Sequence, residues 1–160
     1  MYFDHSFIFD SRNDGKKHGV PDIEVLDYAY GDSRQFGLRP SKEDREMRAD
    51  GSGYMAHSIG GMLPRGEYLY VKWRVKETGQ VYEDKVDLRQ RMPEDITNYG
   101  LHFAIFGSQL YVFLFPPYTS KDFAGRLVLH GGLPPVPPPG KTLLDVPYAR
   151  QHQIYPDIKP

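Results

Sequence analysis

Hydrophobic and polar positions alternate most clearly in EYLYVKWRV (67–75), where Leu69, Val71, Trp73 and Val75 share one face and Tyr68, Tyr70, Lys72 and Arg74 the other. A period of two predicts a strand with one face in the core and one in solvent. KETGQ (76–80) follows, with Gly79 placed to take the left-handed conformation of a short hairpin loop. VYEDKVDLR (81–89) is the predicted return strand, in which Tyr82, Val86 and Leu88 share a face with Asp84. A second hairpin is predicted in YGLHFAIFGSQLYVFLF (99–115), turning on Gly107 as the first residue of a type II′ turn. Leu101, Phe103 and Ile105 alternate there with His102, Ala104 and Phe106, and Leu110, Val112 and Leu114 alternate with Tyr111, Phe113 and Phe115. Both faces are apolar enough to be covered, which predicts the centre of the sheet system.

Weaker patterns fill in the rest. IEVLDYAYGDS (23–33) predicts a further strand, and YMAHSIGGMLPRG (54–66) a short strand entering a Pro-Arg-Gly turn. Between them RPSKEDREMRADGSG (39–53) carries the main helix signal, with Ser41 as a cap and Lys42–Glu46 and Asp44–Arg48 spaced to pair. MPEDITN (92–98) suggests a single helical turn, and RLVLHGG (126–132) one more strand. LPPVPPPGK (133–141) favours extended polyproline geometry, because each ring fixes φ and removes a donor. The expected fold is mainly β: an antiparallel β-sandwich-like domain built from hairpins over residues 1–130, with one or two short helices. A Pro-rich extended C-terminal segment, 131–160, is expected to pack on or beyond it.

Composition narrows the function classes. A chain of 160 residues is large enough for one domain to bury a core without staples. A formal net charge of −1 favours neither nucleic acid nor an anionic membrane as partner. Cys is absent, which excludes disulfides, thiolate nucleophiles and Cys-based metal sites. The 12 Tyr residues suit strand surfaces and binding faces, since each joins a large contact area to a polar tip. The start of the chain shows no signal-peptide pattern, and LHFAIFGSQLYVFLFPP (101–117) is interrupted by His102 and Gly107-Ser108-Gln109, so no transmembrane segment is expected.

The search for chemistry is negative. None of the six histidines, His5, His18, His57, His102, His130 and His152, stands in a metal-binding spacing. Ser58 lacks the glycine two positions earlier that a nucleophile elbow needs, because Ala56 stands there. Glu83 and Asp84 are neighbours on a strand and point to opposite faces, while Glu94-Asp95 suits a helix start. GGLPPVPPPGK has prolines where a phosphate loop needs amides. The reading is therefore a non-enzyme with no catalytic residue, cofactor or metal. Its wet strand faces, Tyr68, Tyr70, Lys72 and Arg74 with Glu83, Lys85 and Asp87, read either as ordinary mixed-charge sheet surface or as a protein-binding surface, since Tyr and Arg carry interface hot spots.

The run GMLPRGEYLYVKWRVKETGQVYEDKVDLRQRMPEDITNYGLHFAIFGSQLYVFLFPP (61–117), preceded by IEVLDYAYGDS, resembles small bacterial envelope proteins, many of them lipoproteins, that are encoded beside type VI secretion effectors and serve as their immunity proteins. The nearest association is with antibacterial lipase effectors. The motifs YVKWRVKETGQVYEDKVDL and LP…DIT…HF…G.QLYV describe a β scaffold and carry no functional residue across. The resemblance implies a role in bacterial competition: binding a cognate secreted toxin, here a phospholipase, and blocking its active site or its activation. It also implies a periplasmic location, with any lipid anchor in the precursor; the chain lacks the lipobox Cys of the lipoprotein pattern.

Within that reading the segment from Asp32 to Tyr54 is expected to insert into or cap the effector. Five positive and five negative residues from Asp32 to Asp50 offer orientation-dependent complementarity. The candidate contacts are Asp32, Arg34, Gln35, Phe36, Arg39, Lys42, Asp44, Arg45, Arg48 and Tyr54, with Tyr70 and Arg74 on the wet strand face. The same charges also suit a solvated excursion. The alternative is an envelope module holding a lipid or other small ligand between its sheets, motivated by Phe103, Phe113 and Phe115, aromatics that more often fill a core.

Overall fold

The alternating stretches become strands of two sheets that share one apolar core in the computed structural model, which describes residues 1–10, 22–35, 37–54, 56–117 and 152–157. In chain order the elements are β1 (Tyr2–Asp10), β2 (Ile23–Tyr30), α1 (Lys42–Met47), β3 (Ala56–Pro64), β4 (Tyr68–Val75), β5 (Val81–Asp87), β6 (Gly100–Phe106), β7 (Gln109–Phe115) and β8 (His152–Tyr155). One sheet has five strands in the order β3-β1-β6-β7-β8; the other has three, β2-β4-β5. The architecture is the expected mainly β, sandwich-like one.

Both predicted hairpins form, β4–β5 and β6–β7. Gly79 turns the first at φ 72° and Gly107 the second at φ 61°. Ser108 does not share the positive φ, so the two-residue turn is the type II′ form whose twist matches the flanking strands. Burial along β4 alternates strictly, with Leu69, Val71, Trp73 and Val75 buried. Six of the seven β6 residues are buried, as a central strand covered on both faces requires.

The core lies between the sheets. Phe7 and Phe9 of β1, Leu101, Phe103 and Ile105 of β6, and Leu110, Val112 and Leu114 of β7 meet Val25, Tyr28 and Tyr30 of β2 and the inner row of β4. Phe7 stacks on Tyr30 at 5.3 Å between ring centroids, and Phe9 on Phe103 at 4.7 Å. Each such fully buried side chain is worth about 1.5–3 kcal/mol relative to exposure. The indole N–H of Trp73 donates to the Gly107 carbonyl at 2.8 Å, which fastens the second sheet to the β6–β7 turn of the first. Phe103 is thus core packing, while Ala104 and Phe113 form a small second cluster with Phe106, Tyr111 and Phe115.

Several features depart from the reading of the sequence. β1 was not anticipated, yet it sits between β3 and β6, and it runs parallel to β6 while the other pairings among the described residues are antiparallel. β3 is a nine-residue strand and not a short one. Residues 92–98 form turns and no helical turn: Asp95 accepts from the Thr97 amide at 2.9 Å, and Asn98 takes φ 63°, so the chain leaves the helical path at once. β8 arises inside the 131–160 segment and pairs with β7. The strand expected at 126–132 and the polyproline stretch 133–141 lie outside the described residues.

Candidate functional site

The outer face of the three-stranded sheet carries the side chains that β4 and β5 turn away from the core, and cross-strand contacts hold them in place. Tyr70 donates to the Glu83 carboxylate at 2.8 Å, and the Arg74 guanidinium pairs with Glu24 of β2 at 2.6 Å. Tyr68 donates to Asp32 at 2.6 Å while the Lys85 ammonium lies over its ring, 4.1 Å from the centroid. Burial, with the Glu83 carboxylate, pushes the Tyr70 hydroxyl up to about 12. The Asp32 carboxylate likewise raises Tyr68. Both phenols therefore stay protonated donors at neutral pH.

The segment from Asp32 to Tyr54 does not stand away from the domain. It runs along the free edge of β2, where the Tyr30 amide donates to the Leu38 carbonyl at 2.8 Å and the Tyr54 amide to the Val25 carbonyl at 2.6 Å. Part of its charge is spent on holding it there. Arg45 binds Asp27 through two bonds, at 3.0 and 3.4 Å, and Arg39 donates to the Gly31 carbonyl at 2.9 Å. Arg48 donates to the Gly53 carbonyl and covers the Tyr54 ring at 4.3 Å. The Gly53 amide in turn donates to Glu24 at 3.2 Å.

α1 within this segment is short but closed at its start. Ser41 accepts from the Asp44 amide at 3.1 Å, and Asp44 accepts from the Ser41 amide at 3.1 Å, a reciprocal capping box. These bonds to Ser41 hold the Asp44 carboxyl below its usual range. Lys42 and Glu46 approach to 3.8 Å as their spacing suggested. Asp44 and Arg48 are engaged elsewhere: the first caps the helix, the second reaches Gly53 and Tyr54.

The sequence-derived contact set therefore splits. Asp32, Arg34, Lys42 and Arg45 are exposed, and Asp32, Arg45, Tyr70 and Arg74 are linked to one continuous surface formed by the segment and the outer sheet face. Gln35 lies on another flank, donating to the Met62 carbonyl of β3 at 3.3 Å. Tyr54 is only 8% exposed and meets Tyr28 edge-on at 5.7 Å, so its ring packs and does not contact. Phe36 lies outside the described residues. Sequence reasoning passed over Glu24 and Asp27, the acids that anchor Arg74 and Arg45; their place on β2, ahead of the charged segment, gave no sign of the pairing. It also missed a hollow of about 300 Å³ lined by Glu67, Tyr68, Lys85, Asp87 and Arg89 at one end of the same face.

Among the described residues no three His, Asp or Glu side chains are grouped to hold a metal ion, and no helix is long and apolar enough to cross a membrane. The surface presents phenol rings, guanidinium and ammonium groups, and carboxylates, several of them fixed by a neighbour. Set against known proteins, the chain matches no family model, no curated protein and no solved structure.

Proposed function

We propose that the chain is an immunity protein that binds a cognate type VI secretion antibacterial effector, of the phospholipase class, and protects the producing cell by occlusion without chemistry of its own. It acts in the periplasm, with any lipid anchor supplied by the precursor. The observation that carries the reading is the continuous, cross-braced face on which Tyr68, Tyr70, Arg74, Lys85, Asp32 and Arg45 stand together. Tyr and Arg dominate interface hot spots, and side chains already held in place lose less entropy on binding. A specific interface buries about 800 Å² per partner.

The test is co-production with the toxin encoded beside the gene. Growth should be restored, and the two chains should purify as a stable complex. Undiminished toxicity with no complex at micromolar concentration removes the proposal.

A further inference from the structure

Among the described residues the two sheets leave four edge strands, and three of them are shielded. The edge of β2 is covered by the chain around Leu38 and Tyr54, which bond to Tyr30 and Val25. β5 carries Glu83, Asp84, Lys85 and Asp87 within seven residues, and the Lys85 amide is taken by the Asp84 carboxylate at 2.8 Å. β8 is four residues long. β3 is different: its nine residues, AHSIGGMLP, include no Asp, Glu, Lys or Arg. A long uncharged edge is a template for another strand.

The register shows which groups of β3 face away from β1. Pro64 lies opposite Tyr2 and has no N–H, while the next residue, Arg65, donates its amide to the Met1 carbonyl at 3.2 Å. The strand therefore turns the backbone groups of His57, Ile59, Gly61 and Leu63 toward β1, and those of Ala56, Ser58, Gly60 and Met62 outward. The bond from the Gln35 side chain to the Met62 carbonyl, at 3.3 Å, confirms the direction, and pairing with a second copy displaces it. These four outward positions are also the exposed ones. Met62 is 60% exposed, and Tyr2, diagonal to it in the β1–β3 register, is 58% exposed, so an apolar patch adjoins this edge.

We propose that this edge is a self-association surface: β3 pairs antiparallel with β3 of a second copy about a two-fold axis through Gly60, joining two five-stranded sheets into one. The second copy is the occupant that β3 itself fits. Centred on Gly60, the pairing sets Ser58 of one copy against Met62 of the other and Ala56 against Pro64, using the whole strand with no like charges opposed. Each Met62 lies diagonal to Gly60 of the other copy, where the nearest atoms a Cβ would meet are 3.8 and 3.9 Å away, leaving room for its side chain. The contact is isologous and closes on itself, so it ends at a dimer. It does not depend on the function proposed above, because the outer face of the three-stranded sheet remains free.

Sedimentation equilibrium of the full chain from micromolar to millimolar concentration tests this. The mass should rise from 18.4 kDa toward twice that value. Ser58→Pro removes an outward donor without touching the β1 ladder and should hold the chain at the single mass with an unchanged melting temperature. Gly60→Glu sets two carboxylates face to face on the axis and should abolish the dimer at low salt, whereas Gly60→Gln keeps it. A single-chain mass at every concentration, the result if β3 were reserved for a strand of another protein, overturns the proposal. So does a dimer that survives both Ser58→Pro and Gly60→Glu.

Discussion

His5 is 4% exposed, between two hydrogen-bond partners. In the neutral ring Nδ1 donates to the Phe3 carbonyl at 2.8 Å, which leaves Nε2 to accept from the Tyr30 hydroxyl at 3.0 Å. Burial lowers its pKa, against the raising effects of the Phe3 bond and the Asp4 charge, and burial raises Tyr30 to about 12. Because the folded state resists protonation, the unfolded chain binds more protons once pH falls below the ordinary value of 6.5. Stability should therefore be level above that pH and fall as pH drops from it toward the lowered folded value. Urea midpoints on either side of 6.5 should show this slope in the parent and a shallower one in His5→Gln; equal slopes would assign the loss to other groups. Steric tolerance at the same ring is equally narrow. A Cβ on Gly66 would stand 2.5 Å from Tyr30 Cε2, and Tyr30 is fully buried. Gly66→Ala should cost about 1–3 kcal/mol by overpacking, read as a lower denaturation midpoint with an unchanged m-value.

Elements differ in how far local pattern reveals them. The β4–β5 and β6–β7 hairpins were legible because alternation, turn residue and return strand all lie within one short stretch of chain. β1 was not, although Phe3, Phe7 and Phe9 alternate, because Asp4, His5 and Ser6 interrupt the apolar run and its pairings are distant in sequence. β8 was the least legible: four residues carry no usable period, and what fixes them is tertiary. Tyr155 donates to the Asp84 carboxylate across the sandwich, and Arg91 donates to the Ile154 carbonyl, pairs with Asp157, and lies 5.4 Å from the Tyr155 ring centroid. The carboxylate pushes Tyr155 up to about 12, keeping it a donor. Arg91→Ala should loosen this strand before anything else, at about 1–3 kcal/mol for the lost charge-assisted bonds. Hydrogen exchange would then quicken along β8 and the facing amides of β7 while β4 stays protected; uniform loss of protection would mean that β8 is not a separable unit.

At the scale of the whole molecule, the segment from Asp32 to Tyr54 joins β2 to β3, and thereby bridges the two sheets along one open side of the sandwich. Its charge density was legible as a stretch, but not its purpose, because ion pairs such as Arg45–Asp27, between α1 and β2, and Arg74–Glu24, between β4 and β2, form only when separate elements meet. The proposed recognition surface therefore rests on this closure, and structure and binding can be separated by experiment. Tyr70 meets Glu83, and Arg74 meets Glu24 beside Gly51, all on the outer face and away from the core row. Tyr70→Ala and Arg74→Ala should leave the fold intact yet each weaken the effector complex by about 2 kcal/mol, close to 30-fold in Kd, if they act as hot spots. Arg45→Ala releases the segment from Asp27 and should raise the dissociation rate and soften the salt dependence of association. Calorimetric titration of purified effector, with melting temperatures of each variant in parallel, tests the assignment. Affinity unchanged in Tyr70→Ala and Arg74→Ala would move the contact to another face; affinity falling only in step with melting temperature would make these residues structural.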